Sequence, residues 1–88
     1  MAEHLVELMV RASCGSCDRV ARQIEPVVRS AGSRLVVRDV DEDGGGELAA
    51  EYGDRVPVVV LDGEEFSAWE VDNEELGQAL LPPPRQAY

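Results

Sequence analysis

The chain contains no lysine, so all eight of its basic residues are arginine, and they face eighteen acidic residues for a formal charge of -10. An acidic surface of that size repels nucleic acid and anionic lipid, so neither is expected as a partner. Physical chemistry gives no reason for the absence of lysine as such. Long apolar runs are missing too. Nothing approaches the roughly 20 residues of a membrane span, and the N-terminus carries Glu3 and His4 where a secretory signal has a basic and then an apolar region. A cytoplasmic protein that meets no membrane is the expectation. Histidine is scarce as well: His4 is the only nitrogen ligand or neutral-pH base available, and its place just ahead of an apolar run suits a solvated strand end. With two cysteines, no network of several disulfides can form.

Those two cysteines are Cys14 and Cys17, in the run Cys14-Gly15-Ser16-Cys17, where an apolar stretch gives way to a helical pattern. A helix starting there aims its free N–H groups and positive dipole end at the first sulfur and favours its thiolate. Arg11, three residues earlier, acts in the same sense on Cys14, whereas Asp18 opposes thiolate formation at Cys17. Cys14 is therefore the expected nucleophile, and Cys17 can resolve a mixed disulfide. Two other uses remain open at this point: inert cysteines packed in the core, and half of a soft-metal site for Cu(I) or Zn.

Eighty-eight residues make one domain, burying about 60–65% of the surface its unfolded chain exposes. Leu5 to Val10, broken only by Glu7, predicts a central strand. Val20, Ile24, Val27, Val28 and Ala31 recur at helical spacing, with Asp18/Arg22 and Glu25/Arg29 as i,i+4 pairs. The helix should kink at Pro26 and stop at Gly32. Leu35 to Val40 predicts a second strand, parallel to the first through a right-handed crossover. The acidic run from Asp39 to Asp43 lacks calcium-loop spacing and reads as solvated loop. Gly44 to Gly46 should be the most flexible stretch, and they lack the Lys and Ser/Thr of a phosphate-binding loop.

A short helix is expected over Glu47 to Tyr52, then a strand begun by Pro57 and continued through Val58 to Leu61. Asp62-Gly63 is a strong hairpin signal leading into a charged edge strand, Glu64 to Ala68. Trp69, just beyond, could line the rim of the site, but packing over the edge of the core is the expected use. Asp72 and Glu75, with Val71 and Leu76 as a staple, announce a last helix from about Asn73 to Leu81. Pro82 to Pro84 end it, leaving residues 82–88 as a flexible proline-rich tail to a domain of residues 1–81.

With these elements in place, the chain resembles thioredoxin-fold proteins, and within them the small glutaredoxin-like family. The likeness rests on Arg11-Ala12-Ser13-Cys14-Gly15-Ser16-Cys17, Tyr52-Gly53-Asp54-Arg55-Val56-Pro57 and Asp62-Gly63, and covers residues 5 to 81. It implies an α/β fold, thioredoxin-like, with a four-stranded mixed sheet flanked by three helices. It further implies a thiol–disulfide oxidoreductase or dithiol electron carrier, with Cys14 attacking, Cys17 resolving and no cofactor. Pro57 is expected in the cis form facing the sulfurs, with Val56 offering its backbone to a substrate chain. Arg11, Gly15, Ser16, Val56 and Pro57 then form the substrate site. Partners would be a protein disulfide and a reductant, a protein dithiol or flavoprotein reductase before glutathione, acting on a monomer.

Several features depart from the family pattern. Gly15-Ser16 stands where thioredoxins have Gly-Pro and glutaredoxins Pro-Tyr. Ser67-Ala68-Trp69-Glu70-Val71-Asp72 lacks the Gly-Gly of a glutathione site, of which Arg11 and Asp72 alone keep the character. A ferredoxin-like metallochaperone also places Cys-x-x-Cys after its first strand, and is the alternative. It is weakened by Ala12, where that class has methionine, and by Val56-Pro57, which that fold does not require.

Overall fold

A computed structural model describes residues 4–80; the expected tail and the last expected helical residue, Leu81, lie outside the described residues. Strand β1 is Leu5–Val10 and β2 is Arg34–Asp39, joined by helix α1, Gly15–Ser30. A 3-10 turn, Gly44–Gly46, leads into helix α2, Glu47–Tyr52, and strand β3, Val58–Leu61, turns into β4, Glu64–Ala68, before helix α3, Asn73–Ala79. The sheet order is β2-β1-β3-β4, with β1 parallel to β2 and antiparallel to β3, and β3 antiparallel to β4. Adjacent parallel β1 and β2 exclude the split β-α-β arrangement of the ferredoxin-like alternative.

Each face of the sheet closes its own core. Val6 and Leu8 of β1 and Val59 of β3 meet Val20, Ile24 and Val28 of α1 and Leu76 and Leu80 at the end of α3. Met9, Val58 and Val60 point the other way, onto Tyr52 of α2 and Val40. This two-sided burial is why β1 and β3 read as nearly unbroken apolar runs, each buried side chain contributing roughly 1.5–3 kcal/mol. Glu7, the exception in β1, has its carboxylate against Arg38 Nη1 at 2.9 Å.

Helix α1 ends as its sequence predicts. Ser33 N–H bonds Val28 C=O and Gly32 N–H bonds Arg29 C=O, a Schellman motif that needs Gly32 at its φ of +71°. Pro26 lies inside the helix, which runs through it to Ser30. The Asp62-Gly63 turn has both residues at positive φ, as a two-residue type I′ hairpin requires. At α3 the Asp72 carboxylate accepts from Glu74 N–H and Glu75 N–H, and Gln23 Nε2 of α1 donates to Val71 C=O and Asn73 Oδ1, locking the two helices at that end.

Two expectations need correction. Strand β2 starts and stops one residue earlier than its apolar pattern suggests, because Val40, though fully buried, leaves the ladder to cap the sheet with its N–H on Val10 C=O. The three glycines form a turn with φ of 77, 61 and 95°. Trp69 does not cover the core edge: it is 59% exposed.

Candidate active site

The site begins where β1 ends. Cys14 N–H bonds back to Arg11 C=O at 3.0 Å, turning the chain out of the sheet into α1. Cys14 is the N-cap residue of that helix, with extended φ and ψ and no side-chain cap. The first-turn N–H groups are thus without a side-chain cap at the residue that carries Cys14 Sγ. Cys17 projects from the first turn, and the two are joined as a disulfide with Cα atoms 5.5 Å apart. Their exposures differ: Cys14 is half-buried, Cys17 only 4% exposed. Ser16 Oγ lies 3.8 Å from Cys14 Sγ. Gly15 is exposed, with open space where a Cβ would stand.

A groove of about 430 Å³ opens beside the disulfide, lined by Arg11, Cys14, Gly15, Cys17, Val37 and Asp39 among others. Arg11 is not free in it. Its Nε and Nη2 hold both oxygens of Asp41, at 3.0 and 3.1 Å, and its Nη1 donates to Gly53 C=O at 3.0 Å. The hydrogen bond and charge of Asp41 raise the Arg11 pKa, and the same hydrogen bond holds the Asp41 carboxyl below its ordinary range. This pairing went unseen in the sequence, where Asp39 to Asp43 looked like a solvated loop. The one available signal was the opposite charge of Arg11 at the facing end of β1. Gly53 is part of the same anchor, since a Cβ there would stand 2.5 Å from Ala49 C=O and 2.9 Å from Arg11 Nη2.

Val56 and Pro57 are joined by a cis peptide bond at the start of β3. They do not line the groove; register places them instead. Met9 of β1 faces Val58 and Val58 faces Ala68, so the Cys loop after β1, the Val56-Pro57 step before β3 and Trp69 after β4 share one end of the sheet. Val56 is half-buried and Pro57 buried. Among the described residues, the main-chain groups of Val56 take no part in the turn and loop hydrogen bonds, whereas Pro57 C=O accepts from Trp69 N–H at 2.8 Å. His4 stands at the opposite end, its Nδ1 hydrogen-bonded to the Asp62 carboxylate, and is no part of the site.

Asp72 is committed to capping α3. Among the described residues no group of three or more His, Cys, Asp and Glu side chains is arranged to hold a metal ion, so the two sulfurs have no third protein ligand beside them. No helix among those residues is long and apolar enough to cross a membrane.

A β-α-β unit with a Cys-x-x-Cys disulfide at its helix N-terminus, followed by a β-hairpin entered through a cis Val-Pro step, defines a thioredoxin-fold protein, and its fold and Cys pair support a redox role in general. A family model described as "Glutaredoxin-like domain (DUF836)" matches residues 5–81, and the chain belongs to that family. A Mycobacterium tuberculosis protein, Rv0508, is 46% identical over 79 residues, covering 86% of this chain and 81% of its own. The solution structure of Ne2328 from Nitrosomonas europaea aligns with a TM-score of 0.73 at 21% identity, over 90% of this chain and 93% of that one. Fasciola hepatica thioredoxin aligns at 0.62 and 22%, over 89% and 78%. At those identities the two structures speak for the fold alone.

Proposed function

We propose that the protein is a thiol–disulfide oxidoreductase that works through Cys14 and Cys17 on protein disulfides. The observation that carries this reading is the unequal pair itself: a half-buried Cys14 at an uncapped helix N-terminus, disulfide-bonded to a buried Cys17. In the reducing direction, Cys14 thiolate attacks one sulfur of the substrate disulfide. That bond breaks, a mixed disulfide forms, and the departing sulfur takes a proton. Cys17, as thiolate, then attacks Cys14 Sγ, closing the Cys14–Cys17 disulfide and releasing the second substrate thiol. Two electrons and two protons pass to the substrate, and a protein dithiol or a flavoprotein reductase must restore them. Val56, with Pro57 beside it at the same end of the sheet, supplies a main-chain edge for an extended substrate, and Arg11, Gly15 and Ser16 flank the sulfurs.

Glutathione is the poorer reductant in this reading. Its carboxylates need donors and its ammonium an acceptor, yet three Arg11 donor contacts are spent on Asp41 and Gly53, and the Asp72 carboxylate accepts from the N–H groups of a helix cap. Asp18 and Asp39 add negative charge to the groove. The test compares reduction of the oxidised protein by glutathione with glutathione reductase and by thioredoxin reductase with its nicotinamide cofactor, at matched concentrations. Faster turnover by the second system is expected. Faster turnover by glutathione would move the protein to the glutaredoxin side of its family.

A further inference from the structure

Trp69, the single tryptophan in the chain, adopts a backbone conformation that a bulky side chain rarely takes. Its φ is +68°, and Glu70 N–H closes onto Ala68 C=O across it at 2.8 Å, a γ-turn of the uncommon positive-φ kind. Glycine would fit this position without strain. The strain is not offset by burial, because the side chain stands 59% exposed. A strained, solvent-facing aromatic residue is the sort of outlier that points to a functional constraint. Trp69 N–H is tied to Pro57 C=O, and β3 separates β4 from β1, so the residue sits about two strand spacings, some 10 Å, from the end of the strand that carries the Cys loop.

The charges around it are uneven. Of the arginines at this end, Arg11 is held by Asp41 and Arg55 by Glu65 at 2.8 Å. Glu70, the next residue in the chain, is exposed and has no ion-pair partner among the described residues, whereas Asp54, its side chain 81% exposed, pairs with Arg55 at 3.5 Å. An exposed indole with an unpaired carboxylate on the next residue offers a cation both a ring face and an opposite charge.

We infer that Trp69 is a specificity-determining residue, its ring and the Glu70 carboxylate receiving an arginine or lysine side chain of the substrate segment whose disulfide Cys14 attacks. This rests on the oxidoreductase reading and adds the substrate class: disulfides in extended segments with a basic residue near the cysteine. The segment runs along Val56, and its cationic side chain reaches Trp69 across Pro57.

The test uses fully reduced protein and three probes: a peptide with an internal disulfide and an arginine two residues from one cysteine, the same peptide with glutamate there, and 2-hydroxyethyl disulfide. Acid-quenched single-turnover rates are read as the substrate disulfide takes two electrons and the Cys14–Cys17 disulfide forms. The wild type should prefer the arginine peptide to the glutamate peptide by about three- to tenfold, the scale of a partly desolvated cation–π contact. Trp69→Ala should abolish that preference and leave the 2-hydroxyethyl disulfide rate within a factor of two, while Trp69→Phe should keep part of it. Trp69→Gly should also lose the preference, with a melting temperature equal to or above that of the wild type. Equal rates on the two peptides, or a preference untouched in Trp69→Ala, would overturn the inference while 2-hydroxyethyl disulfide reduction left the redox reading standing. A reduced wild type inert to 2-hydroxyethyl disulfide would overturn both.

Discussion

Arg11 shows how a residue acquires its role from what surrounds it. As a positive charge three positions before Cys14 it looks like an activator of the thiol; paired in a fork with Asp41, it presents that end of β1 with little net charge. Asp41→Asn should therefore release its field and lower the Cys14 thiol pKa. Alkylation rate against pH in a Cys17→Ser background reads this directly, and an unchanged or raised midpoint would contradict it. A second carboxylate with a depressed pKa is Asp62, held down first by its hydrogen bond to His4 and then by that from Leu5 N–H. A group whose folded pKa lies below its unfolded value stabilises the fold above the unfolded value, near 3.9, and loses that contribution as pH falls through the folded one. Asp62→Asn, which keeps an Asn-Gly turn, should thus be less stable than wild type at pH 7 and equal to it near pH 2. Denaturant midpoints at the two pH values test this, and a difference independent of pH would show that the charge is not what matters.

Among the elements, the connections matter most for the site. The turn from α2 to β3 brings Gly53 so close to Ala49 C=O and Arg11 that any side chain there must displace backbone. Gly53→Ala should cost about 1–3 kcal/mol, and removing the Asp72 cap by Asp72→Ala about 1 kcal/mol, each read from urea unfolding. Loss of less than a few tenths at Gly53 would mean the turn relaxes freely. The helix ends were legible in the chain because Gly32 and Asp72 act through local hydrogen bonds that a sequence encodes within six residues. The same holds for the Asp62-Gly63 hairpin. What was hidden depended on distance along the chain: the grip of Asp41 on Arg11 spans 30 residues, and the exposure of Trp69 follows from a tight turn that no glycine or asparagine announces. Apolar patterning also put Val40 in β2, since burial tells nothing of whether a residue is in a ladder or above its end.

At the scale of the whole molecule, two cores on opposite faces hold β1 and β3 between them and so fix the relation of the Cys loop to the Val56-Pro57 step. Fold and Cys pair were visible in the sequence because both follow from the order of elements and the junction where the cysteines fall. The charge of -10 acts over the entire surface, so association with a basic partner segment should slow as ionic strength rises, while reaction with an uncharged disulfide should not. The central claim is that the two sulfurs have unequal roles, Cys14 attacking and Cys17 resolving. It is tested most directly by trapping: reduced Cys17→Ser and Cys14→Ser variants are mixed with a disulfide peptide and analysed by mass under non-reducing conditions. The account predicts that Cys17→Ser accumulates a stable mixed disulfide through Cys14 while Cys14→Ser stays largely unmodified. Equal trapping by both variants, or trapping by Cys14→Ser alone, would contradict it.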